Sequence, residues 1–289
     1  MNKIWSISEF HLQSFITRRE ELQAHNASIW DLFDESDPQA EGDELPFDVV
    51  DGVAMIDVNG TIFKGASKFL ERFLDVANPS RVAQEVDMAA GLDEVESIFL
   101  KIDSPGGTVA GTSLMADAVF AAREKKPVVA FADDCACSAA YWLASQATSI
   151  FANDTATVGS IGVYSVVPDF SKALEGRGIK IHVVRTGEKK GIGVPGTPID
   201  DAALAEIQSS IDAINDRFVS AVARGRGMEE EEVRTLNDGG VFIGQKAVDV
   251  GLVDSIGNLS VVTKNIQEIT SKFDVSKMEA SVFFRLINQ

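Results

Sequence analysis

Ser138 is the residue whose type and surroundings best suit a chemical role in this chain. It stands among small residues in the segment 135–142 (CACSAAYW), where a strand-like run gives way to a helical pattern. Small neighbours leave a hydroxyl reachable, and a helix N-terminus favours negative charge developing beside it. A serine so placed can attack a carbonyl carbon if a base takes its proton. The position equally suits an ordinary helix N-cap, and the residue alone does not separate the two.

The base for such a serine is harder to find, because the chain has only three histidines. His11 and His25 lie near the N-terminus, and His182 falls inside the strand-like run 179–184 (IKIHVV). A Ser-His-Asp arrangement is therefore disfavoured. A lysine can replace histidine where burial and neighbouring groups favour its neutral amine. Lys190, in the glycine-flanked segment 186–191 (TGEKKG), is a candidate, with a solvated loop lysine as the alternative.

Two further glycine-containing loops could complete a site. The segment 103–108 (DSPGGT) carries Gly106 and Gly107, and paired glycines let a backbone approach a ligand and point N–H groups at it. It is not a phosphate loop, because no Gly-Lys-Ser/Thr follows. The segment 157–163 (TVGSIGV) carries Ser160 between two glycines. Alone, each segment is also explained as a tight turn.

Composition limits the classes of protein to which this chain can belong. The chain has 289 residues, 45% of them hydrophobic and 24% charged, which is typical of a globular protein. Its formal net charge of −18 disfavours nucleic acid as the main partner, since phosphate binding needs a basic face. Cys135 and Cys137 are too close for a routine disulfide and too few for a zinc site. The N-terminus has no continuous apolar core typical of a secretion signal, and no membrane-spanning run occurs, so we expect no membrane contact and a cytoplasmic location.

Apolar runs alternate with helical patterns along the chain, which predicts an α/β fold built from βαβ units. The predicted strands are residues 53–58, 95–102, 127–132, 149–152 and 179–184, and the predicted helices are residues 110–125, 139–147 and 200–224. The glycine loops follow predicted strands, where α/β folds commonly place their sites.

Three regions are predicted from the patterning. Residues 1–48 form an N-terminal arm with a helix at 7–25 and an acidic linker that has Pro38 and Pro46. Residues 49–258 form the compact domain, and residues 259–289 form a helical C-terminal tail. The arm suits either a solvated extension or a docking element, and the tail suits either packing on its own domain or an assembly contact.

Taken in order, the loops resemble the signal peptide peptidase A-like serine proteases, which have a ClpP/crotonase-like α/β fold of repeated ββα units. The pattern covers residues 49–257 and its segments are 103–107 (DSPGG), 138–142 (SAAYW), 159–163 (GSIGV), 186–190 (TGEKK), 224–228 (RGRGM) and 251–254 (GLVD). Two positions depart from the family pattern. Ala139 and Ala140 stand where Gly-Gly is frequent, and Gly191 replaces an acid often found after the lysine.

The resemblance implies roles for these residues. Ser138 is the nucleophile and Lys190 the general base, with Lys189 as the adjacent alternative. Ser160 hydrogen-bonds and orients the lysine amine. The backbone N–H groups of Gly107 and Ser138 form the oxyanion hole, and no metal or cofactor is required.

The resemblance also implies a biological setting. The absence of a membrane anchor favours the phage and prophage head-maturation branch, which acts on capsid scaffold or portal-type proteins. It further implies a ring-like homo-oligomer in which neighbouring protomers share the Ser-Lys dyad. The alternatives are a cytoplasmic peptidase that degrades signal peptides, a non-catalytic capsid assembly protein on the same fold, and an acyl-CoA hydratase or hydrolase relying on Asp103.

Overall fold

The computed structural model describes residues 5–7, 45–66, 71 and 75–272. The strands are β1 (Trp5–Ile7), β2 (Asp48–Val50), β3 (Val53–Asn59), β4 (Thr61–Ile62), β5 (Val76–Ala77), β6 (Ser97–Ser104), β7 (Gly106–Thr108), β8 (Val128–Cys137), β9 (Ser149–Ala152), β10 (Thr157–Gly159), β11 (Val241–Ile243) and β12 (Ser255–Ile256). The helices are α1 (Pro79–Gly91), α2 (Thr112–Arg123), α3 (Ala139–Ala144), α4 (Ser171–Glu175), α5 (Asp201–Arg226), α6 (Glu230–Thr235), α7 (Gln245–Asp249) and α8 (Leu259–Lys272).

The main sheet runs in the order β11-β10-β8-β6-β3-β2, and β9 also pairs with β8. Its centre is parallel, whereas the edge strands β2 and β11 pair antiparallel. Parallel sheets are normally covered on both faces, and their strands are therefore apolar on both. β6 follows this rule: Leu100 packs in the core cluster that includes Met115 and Phe218, and its neighbour Phe99 packs under Ile266 of α8.

A smaller sheet with the order β1-β7-β4-β5 adjoins the main one. β7 follows β6 almost directly in the chain, and Ile62 of β4 pairs in parallel with Gly107 of β7. On the other edge of β7, β1 pairs antiparallel. This sheet therefore holds the first glycine loop between two neighbouring strands.

The predicted α/β class is confirmed, and most of the predicted elements are present. The exception is the run 179–184, which forms no strand and whose residues are all exposed to some degree. A strand needs a neighbour that takes up its backbone hydrogen bonds, and within the described residues no strand pairs with this run. The prediction of a strand there is wrong for the single chain.

The terminal regions are described only in part. Of the helix predicted at 7–25, only Ile7 lies among the described residues, and it ends β1. The predicted C-terminal helix is present as α8 up to Lys272, and residues 273–289 lie outside the described part. None of the helices in the described ranges is both long and apolar enough to span a bilayer.

Candidate active site

Ser138 sits at a sharp turn between strand and helix. β8 ends at Cys137 and α3 begins at Ala139, which leaves Ser138 alone between them with φ 56° and ψ −120°. Positive φ is uncommon for a residue other than glycine and strains the backbone. Ser138 holds the N-cap position, but its side chain makes no capping hydrogen bond. The ordinary explanation of this serine as a side-chain cap is therefore not supported.

The helix that follows Ser138 is firmly anchored in the core. Tyr141 is fully buried and donates its hydroxyl hydrogen to the carbonyl oxygen of Leu252 at 2.9 Å. Burial raises the pKa of Tyr141 above its ordinary value, so the phenol keeps that proton. Trp142 stacks on Phe218 of α5 with ring centroids 4.7 Å apart. These contacts fix α3 and with it the position of Ser138.

Ser160 is brought next to Ser138 by the pairing of two parallel strands. Cys137 of β8 is in register with Gly159 of β10, so the residues that follow them leave the sheet side by side. The Ser138 N–H donates to the carbonyl oxygen of Gly159 at 2.8 Å, and the Ser160 N–H donates to that of Gly240 at 2.8 Å. Ser160 also has positive φ, 51°. Two serines with strained backbones therefore lie side by side at the C-terminal ends of β8 and β10.

Both serines line a cleft of about 750 Å³. Its other walls are the segment after Ser160, one stretch of α5 and the loop before β11; they include Gly162, Val163, Tyr164, Val166, Gln208, Ile211, Asp212, Asn215, Asn237, Asp238, Gly239 and Val241. Asp212 and Asp238 place acidic groups in this cleft. The cleft can therefore hold a peptide or an inserted cationic side chain beside Ser138.

The first glycine loop is fixed against Gly60 by a buried hydroxyl. Ser104 donates to the carbonyl oxygen of Gly60 at 2.6 Å and accepts from the Gly106 N–H at 3.2 Å. A Cβ on Gly107 would lie 1.9 Å from the carbonyl oxygen of Ile62, so glycine is required there. β7, which contains Gly107, contacts α3 just beyond Ser138. The loop is thus close enough to α3 to contribute to a shared site.

Asp103, the first residue of this loop, lies near other carboxylates. Partial burial raises its pKa, and the carboxylates of Asp134 and Asp133 raise it further. The side chain is nevertheless exposed, and Lys101 partly offsets the effect. Asp103 does not line the Ser138 cleft, which removes the main support for the hydratase alternative.

The candidate lysines are not brought to Ser138 within one chain. Lys190 is exposed and is not among the residues that line the serine cleft. Lys189 is paired with Glu206, Nζ to Oε2 2.5 Å, at a second cleft that contacts α5 near Ala203. Along α5 the second cleft includes Glu206 and the serine cleft includes Gln208, so the two clefts adjoin on this helix without sharing a lining residue. Neither lysine lines the serine cleft of a single protomer.

The predicted oxyanion hole needs one correction. The Ser138 N–H is already engaged with Gly159, so it does not suit the donor role expected for it. Ala139 is the first residue of α3, and the first N–H groups of a helix have no partner inside the helix. The Ala139 N–H is thus a candidate donor that the sequence interpretation did not include. A helix start directly after the serine was the signal that could have indicated it.

Comparison with known proteins identifies the family of this chain. Residues 121–272 match the model of peptidase family S49, and the chain belongs to this family. The match confirms the resemblance predicted from the order of the motifs. It includes Ser138, Ser160 and the segment that carries Lys190.

Two relatives come from phages. Capsid assembly protease C of Escherichia phage lambda is 32% identical over 73% of this chain and 48% of its own length. Head-tail preconnector protein GP5 of Enterobacteria phage P21 is 31% identical over 78% of this chain and 45% of its own length. The chain therefore spans about half the length of these curated relatives. Among solved structures, a ClpP1 mutant from Listeria monocytogenes is similar with a TM-score of 0.46 and 15% identity, over 71% of this chain and 92% of that one.

Proposed function

We propose that this chain is a serine endopeptidase in which Ser138 is the nucleophile and Lys190 the general base. The observation that carries the proposal is the strained Ser138 at the strand-to-helix turn, facing a cleft beside Ser160. A strained turn of this kind projects a nucleophile from the sheet edge, as in other hydrolases with a serine at such an elbow. Membership of a peptidase family supports the same chemistry.

In the proposed reaction, the lysine amine takes the Ser138 hydroxyl proton as Oγ bonds to the peptide carbonyl carbon. The carbonyl oxygen becomes an oxyanion, which the N–H groups of Gly107 and Ala139 stabilise. The C–N bond then breaks and the leaving amine receives the proton from the lysine. Water attacks the acyl-enzyme by the same route and regenerates Ser138.

We infer that Lys190 reaches Ser138 from a neighbouring copy of the chain. In one protomer Lys190 is exposed, and a lysine needs burial to act as a neutral base. The segment that carries it exposes apolar side chains, among them Phe170 at 51% and Val184 at 99% exposure. The acidic groups of the serine cleft attract a lysine, and Ser160 in the same cleft would accept a hydrogen bond from its amine. Burial against a second copy would supply both the desolvation and the missing partner for the run 179–184.

For the substrate, we propose proteins of an assembling phage head, of the scaffold or portal type. The support is the similarity to the capsid assembly protease of phage lambda, together with the family. Degradation of released signal peptides uses the same chemistry and differs only in substrate. It is separated by comparing cleavage of a capsid scaffold protein with that of a signal peptide.

A mixing experiment tests the shared dyad. Ser138→Ala and Lys190→Ala are each expected to cut no casein, with Lys189→Ala as the matched control that keeps activity. When the two inactive variants are unfolded, mixed in equal amounts and reassembled, about a quarter of wild-type activity returns, because a quarter of neighbouring pairs combine an intact serine with an intact lysine. No recovery at matched oligomer size contradicts sharing between copies. Activity in Lys190→Ala, with Lys189→Ala inactive, would assign the base to Lys189.

Labelling distinguishes the endopeptidase from a non-catalytic assembly protein. A serine-directed fluorophosphonate is expected to modify wild type at Ser138, located by mass spectrometry of peptides, and not Ser138→Ala. An assembled wild-type protein that takes up no label and cuts no substrate contradicts the proposal.

A further inference from the structure

A short strand near the N-terminus lies beside the glycine loop of the proposed active site. Trp5–Ile7 (β1) pairs antiparallel with Gly106–Thr108 (β7), with Ser6 opposite Gly107. The other edge of β7 is taken by β4, through Ile62 and Gly107. β1 therefore fills the remaining edge of β7.

If Gly107 is an oxyanion donor, as proposed above, a peptide substrate runs along that edge. Gly107 is the proposed oxyanion donor, and β7 contacts the helix that begins directly after Ser138. A peptide whose carbonyl meets both groups has to pass along β7 in an extended conformation. Extended peptides commonly bind by adding a strand to a sheet edge, where backbone hydrogen bonds give the affinity. β1 has this form, since it is a short extended segment at the edge of the sheet.

We propose that Trp5–Ile7 is a built-in competitor that occupies the enzyme's own peptide-binding edge. This inference rests on the proposed function, because that proposal makes β7 the substrate edge. The segment is covalently attached, so its effective concentration at the edge is roughly millimolar. The pairing covers only three residues. A longer substrate displaces it, and the block is reversible.

Proline substitutions test the pairing without removing the segment. Along a strand, successive residues turn their N–H groups to opposite sides. One of Ser6→Pro and Ile7→Pro therefore removes a hydrogen-bond donor that faces β7. Ser6→Ala and Ile7→Ala are matched controls that keep every backbone N–H. Deletion of residues 1–7 is a second way to empty the edge, should a proline variant fail to fold.

The first readout is binding, measured in a Ser138→Ala background so that catalysis plays no part. The probe is a fluorescein-labelled peptide of residues 1–12 (MNKIWSISEFHL), followed by anisotropy. The emptied variants are expected to bind it about tenfold more tightly than the alanine controls, because the attached competitor is gone. Equal affinity in emptied and control proteins overturns the inference.

The second readout is turnover of a peptide substrate with Ser138 present. The expected change is a lower KM at unchanged kcat, because only a competitor has been removed. A folded variant with lower kcat and unchanged peptide affinity would show that β1 is only a structural edge strand. That result would overturn the inference. If no variant turns over substrate but the binding difference remains, the catalytic proposal fails while the competitor at this edge stands.

Discussion

Gly107 has no room for a side chain. Its added Cβ would meet the Ile62 carbonyl oxygen at 1.9 Å, and backbone cannot move aside as a flexible side chain can. The glycine thus keeps β4 and β7 at pairing distance, which in turn aims the loop at the serine.

Gly107→Ala is accordingly expected to lose activity more than stability. We expect kcat/KM to fall at least about a hundredfold, as when an oxyanion donor is lost, and the free energy of unfolding to fall by about 1–3 kcal/mol, as for overpacking. The measurements are casein cleavage and urea unfolding. Gly91→Ala is the matched control, since a Cβ there meets nothing within 4 Å. Equal activity in the two variants would exclude Gly107 from the site.

Asp103 gives a pH-dependent prediction. Its pKa is raised in the folded chain by burial, then by Asp134 and Asp133. A carboxyl whose folded pKa lies above its unfolded value loses native stability as the pH rises through that range. Asp103→Asn removes this loss. It should stabilise the chain at pH 7 by less than about 1 kcal/mol, because the group is exposed.

The measurement for Asp103→Asn is urea unfolding at a series of pH values. The gain should shrink as the pH falls towards about 4, where the unfolded carboxyl also becomes protonated. Asp48→Asn, an exposed carboxyl on β2, serves as the comparison. A gain that is constant with pH would mean that charge is not its cause.

Single residues show why the site could be predicted only in part. Ser138 and Ser160 were selected as candidates because small residues and glycines surround them at strand ends. The engagement of the Ser138 N–H with Gly159 depends on the register of β8 and β10, and two strands far apart in sequence do not reveal their register. The assignment of the second oxyanion donor to Ser138 failed for this reason.

At the scale of elements, the run 179–184 has strand-like composition and no strand partner. Branched apolar residues favour strands mainly through packing against neighbours, which this segment does not have in one protomer. Propensity was therefore a poor guide to its structure in the single chain. We expect it to gain its partner in the assembly.

Val184→Lys tests this expectation. Val184 is 99% exposed, so the stability of the protomer should change by no more than about 0.5 kcal/mol. Assembly and kcat/KM should both fall, because a charge would be buried at the contact between copies. Val50→Lys, 56% exposed on the edge strand β2, is the control. Light scattering and casein cleavage that match wild type in Val184→Lys would contradict the role of this segment.

Helices differ in how well the sequence indicated them. The amphipathic α5 was predicted within two residues at either end. By contrast, α1 was missed although its start carries clear signals: the Asn78 side chain accepts from the Ser80 N–H at 2.9 Å, and Pro79 opens the helix. Its buried residues Val82, Val86 and Ala90 also recur at helical spacing. Capping chemistry and hydrophobic spacing together would therefore have indicated this helix.

For the whole molecule, the net charge of −18 opposes association of copies. The proposed assembly has to overcome this repulsion through apolar contact. Raising the salt concentration from about 0.05 M to about 0.5 M shortens the screening length severalfold and should favour the oligomer. Sedimentation velocity at several salt concentrations measures the effect. Dissociation by salt would instead mean that ion pairs hold the copies together.

The left-handed backbone at Ser138 and Ser160 has a consequence for the evolution of this chain. Their φ values of 56° and 51° suit glycine, and another residue there costs about 1–2 kcal/mol. A mutation to glycine at either position would therefore raise thermal stability, and its only cost would be the loss of catalytic turnover. A random library selected for thermal tolerance alone would enrich inactive chains. Any laboratory lineage of this protein must be screened for cleavage in every round.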